Sequence, residues 1–482
     1  MSADRSATMA GRSVAILGAG ITGLAAAYRL VSRNAQLRVE IFEAGDRIGG
    51  IIRTERIEGF LAELGPDSFI TNKPAALKLC ESIGFADQLI PTDSQYRRSL
   101  VLHRGRPVPV PDGFMLMAPA KPWSILTTPV LSVRGKLRLL SEALVRADRT
   151  NRDETLGAFV RRRFGRETLD RLVQPLVGGI YTSDPEKLSL QATLPRFLEM
   201  EREHGSVIRA TLRQQRLQRG QTASSGSGAR YGLFTTPSQG LSSLVEAVQQ
   251  TLLQTERVTI RPNSRVQSVT QHQGRWRVAS SSHPSDTAEL FDNVICTLPA
   301  HRTASLLEST SSELADELRG IEYASSAVVV SGHRLDDFQH PLDAFGLVIP
   351  HKEHRNVLAV SFTSRKFPDR APKGCVLLRT FVGGAMQPDL LDRNDDDLCR
   401  MVSSELSDIL GMRQSPIFQR VQRYDNAMPQ YHLGHLDRVD LIETLVTQQP
   451  GLELAGNAYR GVGIPDSIAS GEAAADRILS AT

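Results

Sequence analysis

The sequence predicts a mixed α/β fold, and three observations lead to that prediction. Ser13–Leu17 is a short apolar run of the kind that forms a buried parallel strand. The glycine-rich turn Gly18–Gly23 follows at once, and Leu24–Leu30 continues with residues that favour a helix. A second apolar run, Leu37–Phe42, begins shortly afterwards. Strand, glycine turn, helix and strand in this order are typical of a Rossmann-like nucleotide-binding unit.

The turn itself has the spacing GxGxxG, and each glycine has a separate task. Gly18 allows the tight turn, Gly20 leaves room for a pyrophosphate beside the backbone, and Gly23 lets the helix pack on the strand. Glu43 ends the second apolar run about 20 residues after the third glycine, where a carboxylate holds ribose hydroxyls. The predicted dinucleotide site comprises Gly18, Ala19, Gly20, Ile21, Thr22, Gly23, Glu43 and Ala44.

The residues that follow are similar to a known extension of such a site. Asp46–Gly50 resembles the DRxGG segment of the glutathione-reductase-type FAD proteins, in which the chain continues along FAD rather than NAD. Gly49 and Gly50 let the backbone pass close to the ligand, and Arg47 can offset pyrophosphate charge. The alternative for Arg47 is a surface ion pair with a neighbouring acid.

The turn Glu63–Ser68 contains a glycine-proline pair. In the same superfamily a turn of this kind passes the isoalloxazine ring, and its backbone N–H groups tune flavin reduction. The resemblance adds Gly65, Pro66, Asp67 and Ser68 to the predicted cofactor site.

The end of the chain carries a third group of glycines. Gly451–Gly456 predicts a strand ending in glycine, and Ile468–Leu479 predicts a helix with Gly, Pro, Asp and Ser before it. In FAD oxidases such a helix points its positive end at the N1–C2=O edge of the flavin. The predicted contacts there are Gly456, Val462, Gly463 and Ile464.

The cofactor domain is therefore assembled from separate parts of the chain. Arg257–Val269 predicts a pair of strands with Val266 at the adenine side, and Asn293–Pro299 predicts a late strand of the same domain. Gln221–Arg230 is rich in Ser and Gly and predicts a linker or loop. The predicted FAD-binding parts are 11–95, 231–320 and 431–482, and the predicted substrate-binding parts, an antiparallel sheet with helices, are 96–220 and 321–430.

Composition narrows the function classes. The 482 residues carry a formal net charge of +4, too small to indicate a nucleic-acid partner. The four cysteines are far apart and predict reduced thiols rather than disulfides or a zinc site. His432 and His435 have HxxH spacing in a predicted loop without a third ligand, which indicates a structural role and no metal.

Phe114–Leu131 is mostly apolar, but Pro119, Lys121, Pro122 and Pro129 prevent it from spanning a bilayer as a helix. It predicts either a core segment of loops and short helices or a peripheral membrane contact through residues 114–131. The expected location is therefore the cytoplasm, with peripheral membrane association left open.

Four further segments are distinctive: RRRFG at Arg161–Gly165, PLVGGIY at Pro175–Tyr181, DPEKLSL at Asp184–Leu190 and YDNAMPQYHLGH at Tyr424–His435. In order and spacing they resemble the oxygen-dependent protoporphyrinogen and coproporphyrinogen oxidases. With the glycine-rich C-terminal motif, the resemblance extends over essentially the whole chain.

The resemblance implies a FAD-dependent oxidase of haem biosynthesis. It would remove six electrons from a porphyrinogen, either protoporphyrinogen IX or coproporphyrinogen III, and pass them to dioxygen as hydrogen peroxide. Gly179 matches the glycine of the family's motif, whose carbonyl would polarise the reacting centre, and Gly178 would let the substrate lie against the backbone. Arg97 and Arg98 would bind substrate carboxylates, and Tyr424 would replace the tryptophan that relatives usually place beside the flavin.

Other interpretations stay open from the residues alone. Amine oxidases and carotenoid desaturases share the FAD motifs, and a flavin-binding protein without turnover belongs to another functional class. The paired glycines could serve only a turn, and the arginine pair could be exposed without a ligand. The family resemblance allows a monomer or a homodimer.

Overall fold

The computed structural model describes residues 12–115, 117–119, 122–150, 152–219, 234–282 and 288–481. Its strands, numbered along the chain, are β1 (Ser13–Leu17), β2 (Arg38–Phe42), β3 (Thr54–Ile57), β4 (Phe60–Glu63), β5 (Phe69–Ile70), β6 (Leu89–Pro91), β7 (Ser99–His103), β8 (Arg106–Pro109), β9 (Phe114–Met115), β10 (Ala118–Pro119), β11 (Phe234–Pro237), β12 (Val258–Arg261), β13 (Val266–His272), β14 (Arg275–Ser280), β15 (Glu289–Phe291), β16 (Asn293–Cys296), β17 (Tyr323–Arg334), β18 (Gly346–Val348), β19 (Ala359–Phe362), β20 (Cys375–Gly383), β21 (Phe418–Pro429) and β22 (Leu452–Leu454).

The α-helices are α1 (Ile21–Arg33), α2 (Ala75–Ser82), α3 (Pro122–Thr127), α4 (Val133–Leu140), α5 (Leu156–Arg163), α6 (Arg166–Thr168), α7 (Gln174–Tyr181), α8 (Leu190–Thr193), α9 (Pro195–His204), α10 (Val207–Arg219), α11 (Leu241–Leu253), α12 (Ala300–Leu307), α13 (Ser312–Arg319), α14 (Thr363–Lys366), α15 (Asp395–Leu410), α16 (His435–Thr447) and α17 (Ile464–Ser480). A π-helical turn, Leu169–Val173, joins α6 to α7.

A five-stranded parallel sheet in the order β12-β2-β1-β16-β22 collects strands from the beginning, middle and end of the chain. Its alternating side chains enter two different cores. Val14 and Ile16 face α1, α11 and α17, whereas Ala15 and Leu17 face α12, α13 and α16. Burial on both faces explains why β1 reads as an uninterrupted apolar run. Helices α1 and α17 pack tightly because Gly471 has no side chain; a Cβ there would lie 2.3 Å from the carbonyl oxygen of Thr22.

A seven-stranded sheet in the order β21-β17-β20-β19-β18-β7-β8 forms the second layer. Its neighbours run antiparallel except for the parallel pair β18–β7. One face packs against α15, and the other packs against Phe60 and Leu64. The sheet therefore carries Tyr424, on β21, up to the predicted Glu63–Ser68 turn.

Helices α3 to α10 surround a separate apolar core that includes Phe159, Phe164 and Leu172. This helical unit is joined to the cofactor-binding part through the backbone of Ser189, which donates to the carbonyl of Tyr431 at 2.7 Å. The predicted fold class, a Rossmann-like unit built from discontinuous segments with an inserted antiparallel sheet and helices, is confirmed.

Three local predictions need correction or lie outside the described residues. The predicted strand pair within Arg257–Val269 is wrong, because β12 pairs in parallel with β2 and β13 pairs with β14 in another sheet. The predicted linker Gln221–Arg230 lies outside the described residues. The C-terminal helix begins at Ile464, before the predicted Ile468.

Candidate active site

The nucleotide end of the site is a cradle between β1 and α1. Gly18 has a φ of +105°, which favours glycine, and a Cβ at Gly23 would lie 2.1 Å from the Gly18 carbonyl oxygen. At Gly20, by contrast, a Cβ would meet no atom within 4 Å, so the space above this residue is open. Gly20 is also the N-cap of α1, and no side chain caps the helix there. The cradle thus presents helix amides and a positive dipole end to an anionic group.

Glu43 lies at the rim of this cradle, just after β2. Its carboxylate accepts hydrogen bonds from the backbone N–H of Ala19 at 3.0 Å and of Gly45 at 2.9 Å. Ala44 lies between Glu43 and Gly45 in the chain, and Ile21 and Thr22 are buried in the first turn of α1. The predicted acid and the predicted glycine turn therefore come together as the sequence spacing indicated.

Arg47 organises the next loop instead of forming the alternative ion pair. Its guanidinium donates to the carbonyl oxygens of Ile48 at 3.2 Å, Ile52 at 2.9 Å and Gly50 at 2.5 Å. The Gly49 N–H donates to the Ala19 carbonyl at 2.8 Å, which holds this loop beside the cradle. A cation and two glycines thus line the continuation of the nucleotide site.

The turn at Gly65, Pro66, Asp67 and Ser68 is held by a buried cluster of ions. Asp67 binds Lys366 at 2.9 Å and Arg379 at 3.2 Å, and Lys366 also reaches the Ser68 hydroxyl at 2.8 Å. Arg379 donates in addition to the Gly65 carbonyl. Burial alone would raise the pKa of Asp67, but the two cations outweigh it and hold that pKa well below its usual range.

Tyr424, on β21 of the seven-stranded sheet, is hydrogen-bonded to the chain just before this turn. Its hydroxyl donates to the Leu64 carbonyl at 2.9 Å, and burial raises its pKa to about 12, so it stays protonated as a donor. Gly65 is required by close packing, because a Cβ there would lie 1.9 Å from the Ile51 carbonyl oxygen.

The C-terminal loop before α17 is held by Tyr431. The Tyr431 hydroxyl donates to the Asn457 carbonyl at 2.7 Å and accepts from the Gly461 N–H at 2.8 Å. Its ring stacks on His435 with centroids 4.0 Å apart, and His435 Nε2 bonds the Tyr459 carbonyl at 2.8 Å. Burial lowers the pKa of His435 to about 4, so this ring is neutral near pH 7.

The loop fixed by Tyr431 contains most of the predicted C-terminal contacts. Gly456 has a φ of +131°, Gly463 is the N-cap of α17, and Val462 is partly buried between them. Ile464 is the first residue of that helix and is buried. The positive end of α17 therefore opens at this loop, as the sequence predicts.

Helix α7 carries both glycines, but only Gly179 lies on a face that other side chains leave open, whereas Gly178 is buried. Gly179 is exposed, and a Cβ built on it would meet no atom within 4 Å. A Cβ on Gly178 would lie 3.4 Å from the Gln174 amide nitrogen, an ordinary contact. Neither residue has a positive φ, so backbone strain does not require glycine at either position. The alternative that they serve only a turn is wrong, because both lie inside a helix.

Comparison with known proteins agrees with this arrangement. A family model described as flavin containing amine oxidoreductase matches residues 21–479. The chain belongs to that family. Its cofactor is FAD, and the open space at Gly20, the uncapped N-terminus of α1 and the nearby Glu43 carboxylate fit the pyrophosphate and ribose of that group.

Relatives within the family match over nearly their full lengths. The chain is 33% identical over 472 residues to the coproporphyrinogen III oxidase of Staphylococcus aureus, covering 97% of this chain and 99% of the relative. It is 29% identical over 494 residues to protoporphyrinogen oxidase 2 of Arabidopsis thaliana, covering 98% and 94%. A crystal structure from Exiguobacterium sp. 255-15, provisionally named a protoporphyrinogen oxidase, gives a TM-score of 0.85 at 29% identity, covering 98% of this chain and all of that one.

The other predicted site residues take varied positions. Arg98 pairs with Asp343, and Arg97 donates to the Thr92 carbonyl at 3.1 Å, so both arginines have protein partners. Val266 begins β13 and is partly buried. His432 Nδ1 lies 3.5 Å from Glu322. Within the described ranges, no three His, Cys, Asp or Glu side chains gather as a metal would require.

Sequence reasoning missed three residues that build the site: Lys366, Arg379 and Tyr431. Tyr431 stood inside the recognised PQYxxGH segment, but only its contacts show that it fixes the C-terminal loop. No local sequence pattern indicated that Lys366 and Arg379 would bind Asp67, because they lie about 300 residues further along the chain.

Tyr431→Phe tests whether the Tyr431 hydroxyl holds the C-terminal loop as a clamp. The change removes two hydrogen bonds to the C-terminal loop and keeps the ring stacked on His435. At about 0.5–1.5 kcal/mol for each bond, we expect the Kd for FAD to rise roughly 5- to 150-fold. Quenching of FAD fluorescence on titration with apoprotein measures this. Tyr28→Phe, which removes one exposed hydrogen bond to Ser82, should leave the Kd unchanged; equal affinities for all three proteins would contradict the clamp.

Proposed function

We propose that this protein is a FAD-dependent porphyrinogen oxidase whose main substrate is coproporphyrinogen III. The supporting observation is the match over 97% of this chain to relatives from Staphylococcus aureus and Bacillus subtilis, at 33% and 32% identity, both named coproporphyrinogen III oxidase. The reaction is a six-electron oxidation to the porphyrin, and dioxygen is reduced to hydrogen peroxide. It serves haem biosynthesis.

FAD, when bound, supplies the chemistry by accepting a hydride from the substrate. The chain supplies position and surroundings. The open face of α7 at Gly179 would let a flat macrocycle approach the backbone without a side chain between them, whereas Gly178 is buried. The turn held by Asp67 and the loop held by Tyr431 would position the isoalloxazine ring. The N-terminus of α17 would supply positive potential beside the flavin.

The first experiment compares coproporphyrinogen III and protoporphyrinogen IX in air by porphyrin fluorescence, corrected for spontaneous oxidation. We expect kcat/KM for coproporphyrinogen III to exceed that for protoporphyrinogen IX by about tenfold or more, a difference of about 1.4 kcal/mol in transition-state binding. Similar rates would show that the pocket accepts both. If neither porphyrinogen is oxidised enzymatically, the proposal is wrong, and amines and polyenes become the next substrates to test. If a porphyrinogen also fails to bleach the flavin absorbance in the absence of dioxygen, the protein binds flavin without turnover.

We also propose a peripheral contact with a membrane. No helix in the described part of the chain is long and apolar enough to cross a bilayer. The helical unit nevertheless exposes an apolar patch on α3, α4 and the turn after them, formed by Trp123, Leu126, Val133, Leu137 and Leu144, which are 79%, 45%, 72%, 63% and 84% exposed. Arg134 and Arg146 lie exposed beside it. Aromatic and aliphatic side chains flanked by cations suit an anionic lipid surface.

This patch changes the predicted bounds of the contact. Within the predicted segment 114–131, Phe114, Ile125, Val130 and Leu131 are buried in the core of the helical unit. Of the described residues in that segment, Trp123 and Leu126 belong to the exposed patch. The proposed contact therefore includes these two residues and continues beyond the predicted segment to Leu144.

Leu137→Glu tests the patch. Withdrawing one fully inserted leucine costs about 1.5–3 kcal/mol, so we expect binding to vesicles of mixed phosphatidylcholine and phosphatidylglycerol to fall about tenfold or more. Cosedimentation measures the bound fraction. Leu441→Glu on α16, a leucine that is 40% exposed outside the patch, is the matched control and should bind as the unchanged protein does. Equal losses in both variants, or no binding by the unchanged protein, would contradict the contact.

A further inference from the structure

Arg196 occupies an unusual place at the start of α9. Pro195 is the first residue of this ten-residue helix and Arg196 the second, and the first turn contains no acidic residue. Helix N-termini carry partial positive charge and favour acids. A cation at this position raises the positive potential further, so the end of α9 attracts an anion more strongly than a helix end alone.

Arg196 also has no anionic partner among the residues that the structure describes. Its guanidinium lies over the neighbouring Phe197 ring, 4.7 Å from the centroid. By contrast, Arg161, Arg162 and Arg163, on α5, all pair with glutamates. Arg98 pairs with Asp343, and Arg97 is bonded to the Thr92 carbonyl. Arg196 is therefore better placed to receive a ligand than the two arginines that the sequence suggested.

Arg196 lies near Tyr181. Its side chain is exposed, but the protein around it removes part of its water and lowers its pKa, and Tyr181 is the titratable group that acts in the opposite direction. The guanidinium is therefore close to the end of α7. A partly dehydrated guanidinium forms strong, often bidentate, bonds with a carboxylate.

A hydrogen bond joins the end of α7 to the residues that precede α9. Tyr181 ends α7, two residues after Gly179, and its hydroxyl donates to the Thr193 carbonyl at 3.3 Å. Thr193 is three residues before Arg196. Tyr181, Leu194 and Val462, the last from the C-terminal loop, all pack against the same apolar core. The start of α9 is therefore adjacent to the end of α7, close to the exposed Gly179.

We infer that Arg196 binds a carboxylate of the substrate and so selects for carboxylate-bearing tetrapyrroles. The inference rests on the proposed function and adds to it a residue that fixes the ring against the Gly179 face. Arg196 touches a side group of the substrate and not the reacting carbon, so it contributes to binding and orientation. Its loss should raise KM more than it lowers kcat.

Arg196→Gln is the test variant, with Arg196→Lys as the conservative partner and Arg209→Gln as the control. Arg209 is an exposed arginine on the neighbouring helix α10. We expect Arg196→Gln to raise the KM for coproporphyrinogen III about tenfold or more, with kcat within about threefold, and Arg196→Lys to restore part of the loss. The tetramethyl ester of coproporphyrinogen III, which lacks the charges, should show no difference between variants.

A second readout does not depend on turnover. The stable product coproporphyrin III should bind the unchanged FAD-bound protein, and Arg196→Gln should weaken that binding by a similar factor, measured by porphyrin absorbance. If the unchanged protein oxidises coproporphyrinogen III while Arg196→Gln retains its KM and porphyrin Kd, this inference is wrong and the proposed function stands. If the unchanged protein neither oxidises nor binds tetrapyrroles, both are wrong. A loss of equal size with the methyl ester would also overturn the carboxylate contact.

Discussion

Gly179→Leu should lower kcat/KM for coproporphyrinogen III at least about 100-fold and leave FAD bound, since displacing a reactant by about 1 Å can cost that much. The structure gives the reason. A side chain at residue 179 has open space around it, so the variant can fold without a clash. The leucine would then fill the space that we assign to the macrocycle and hold it away from the backbone. Steady-state kinetics measure the loss, and the flavin absorbance spectrum checks cofactor content.

Gly179→Ala separates substrate contact from a structural role. Because residue 179 is helical, alanine should stabilise α7 by about 0.5–1 kcal/mol relative to glycine. If glycine were there only for the fold, this variant would be as active as the unchanged protein. We expect higher thermal stability together with lower activity, in the order Gly, Ala, Leu. Full activity in Gly179→Leu would refute the contact with the substrate.

How far the sequence could predict this site depends on how local each signal is. The turn Gly18–Gly23 and Glu43 form a continuous strand-turn-helix-strand pattern, so their meeting at one edge of the sheet follows from spacing alone. The prediction that two strands within Arg257–Val269 pair with each other was wrong for the opposite reason, because strand pairing depends on distant parts of the chain. The residues of a strand show that it forms but not which partner it takes, and here β12 pairs with β2 whereas β13 pairs with β14.

The RRRFG segment shows the same limit. It carried much of the family resemblance, yet its arginines hold the helical unit together. Arg161 binds Glu186, Arg162 binds Glu154 and Glu201, and Arg163, fully buried, binds Glu142 and Glu201. Sequence reasoning located this segment but could not separate structural arginines from ligand-binding ones. That distinction requires knowing which arginines are paired with an acid and which are not; Arg196, for example, lies over the Phe197 ring, and the described residues give it no acid partner.

Asp67→Asn should destabilise the FAD-bound protein by about 3–5 kcal/mol at pH 7, because it leaves two buried cations without their shared anion. Lys366 and Arg379 have side chains only 13% and 4% exposed, so water cannot replace the carboxylate. Urea denaturation followed by tryptophan and flavin fluorescence gives the apparent free energy of unfolding. Asp170→Asn, which breaks an exposed pair with Arg166 at 3.6 Å, should change it by less than about 1 kcal/mol.

The pH dependence provides a sharper version of the same test. The folded state holds the pKa of Asp67 below its ordinary value of 3.8: burial opposes ionisation, but Lys366 and Arg379 more than compensate. A depressed carboxyl pKa stabilises the folded state fully above that ordinary value, and the contribution disappears as the pH falls towards the lower, folded pKa. The difference between the unchanged protein and Asp67→Asn should therefore be constant from pH 8 to about pH 5 and shrink below about pH 4. A difference that grew on acidification would mean that Asp67 is protonated in the folded state, and the turn beside the flavin would then be held by hydrogen bonds alone.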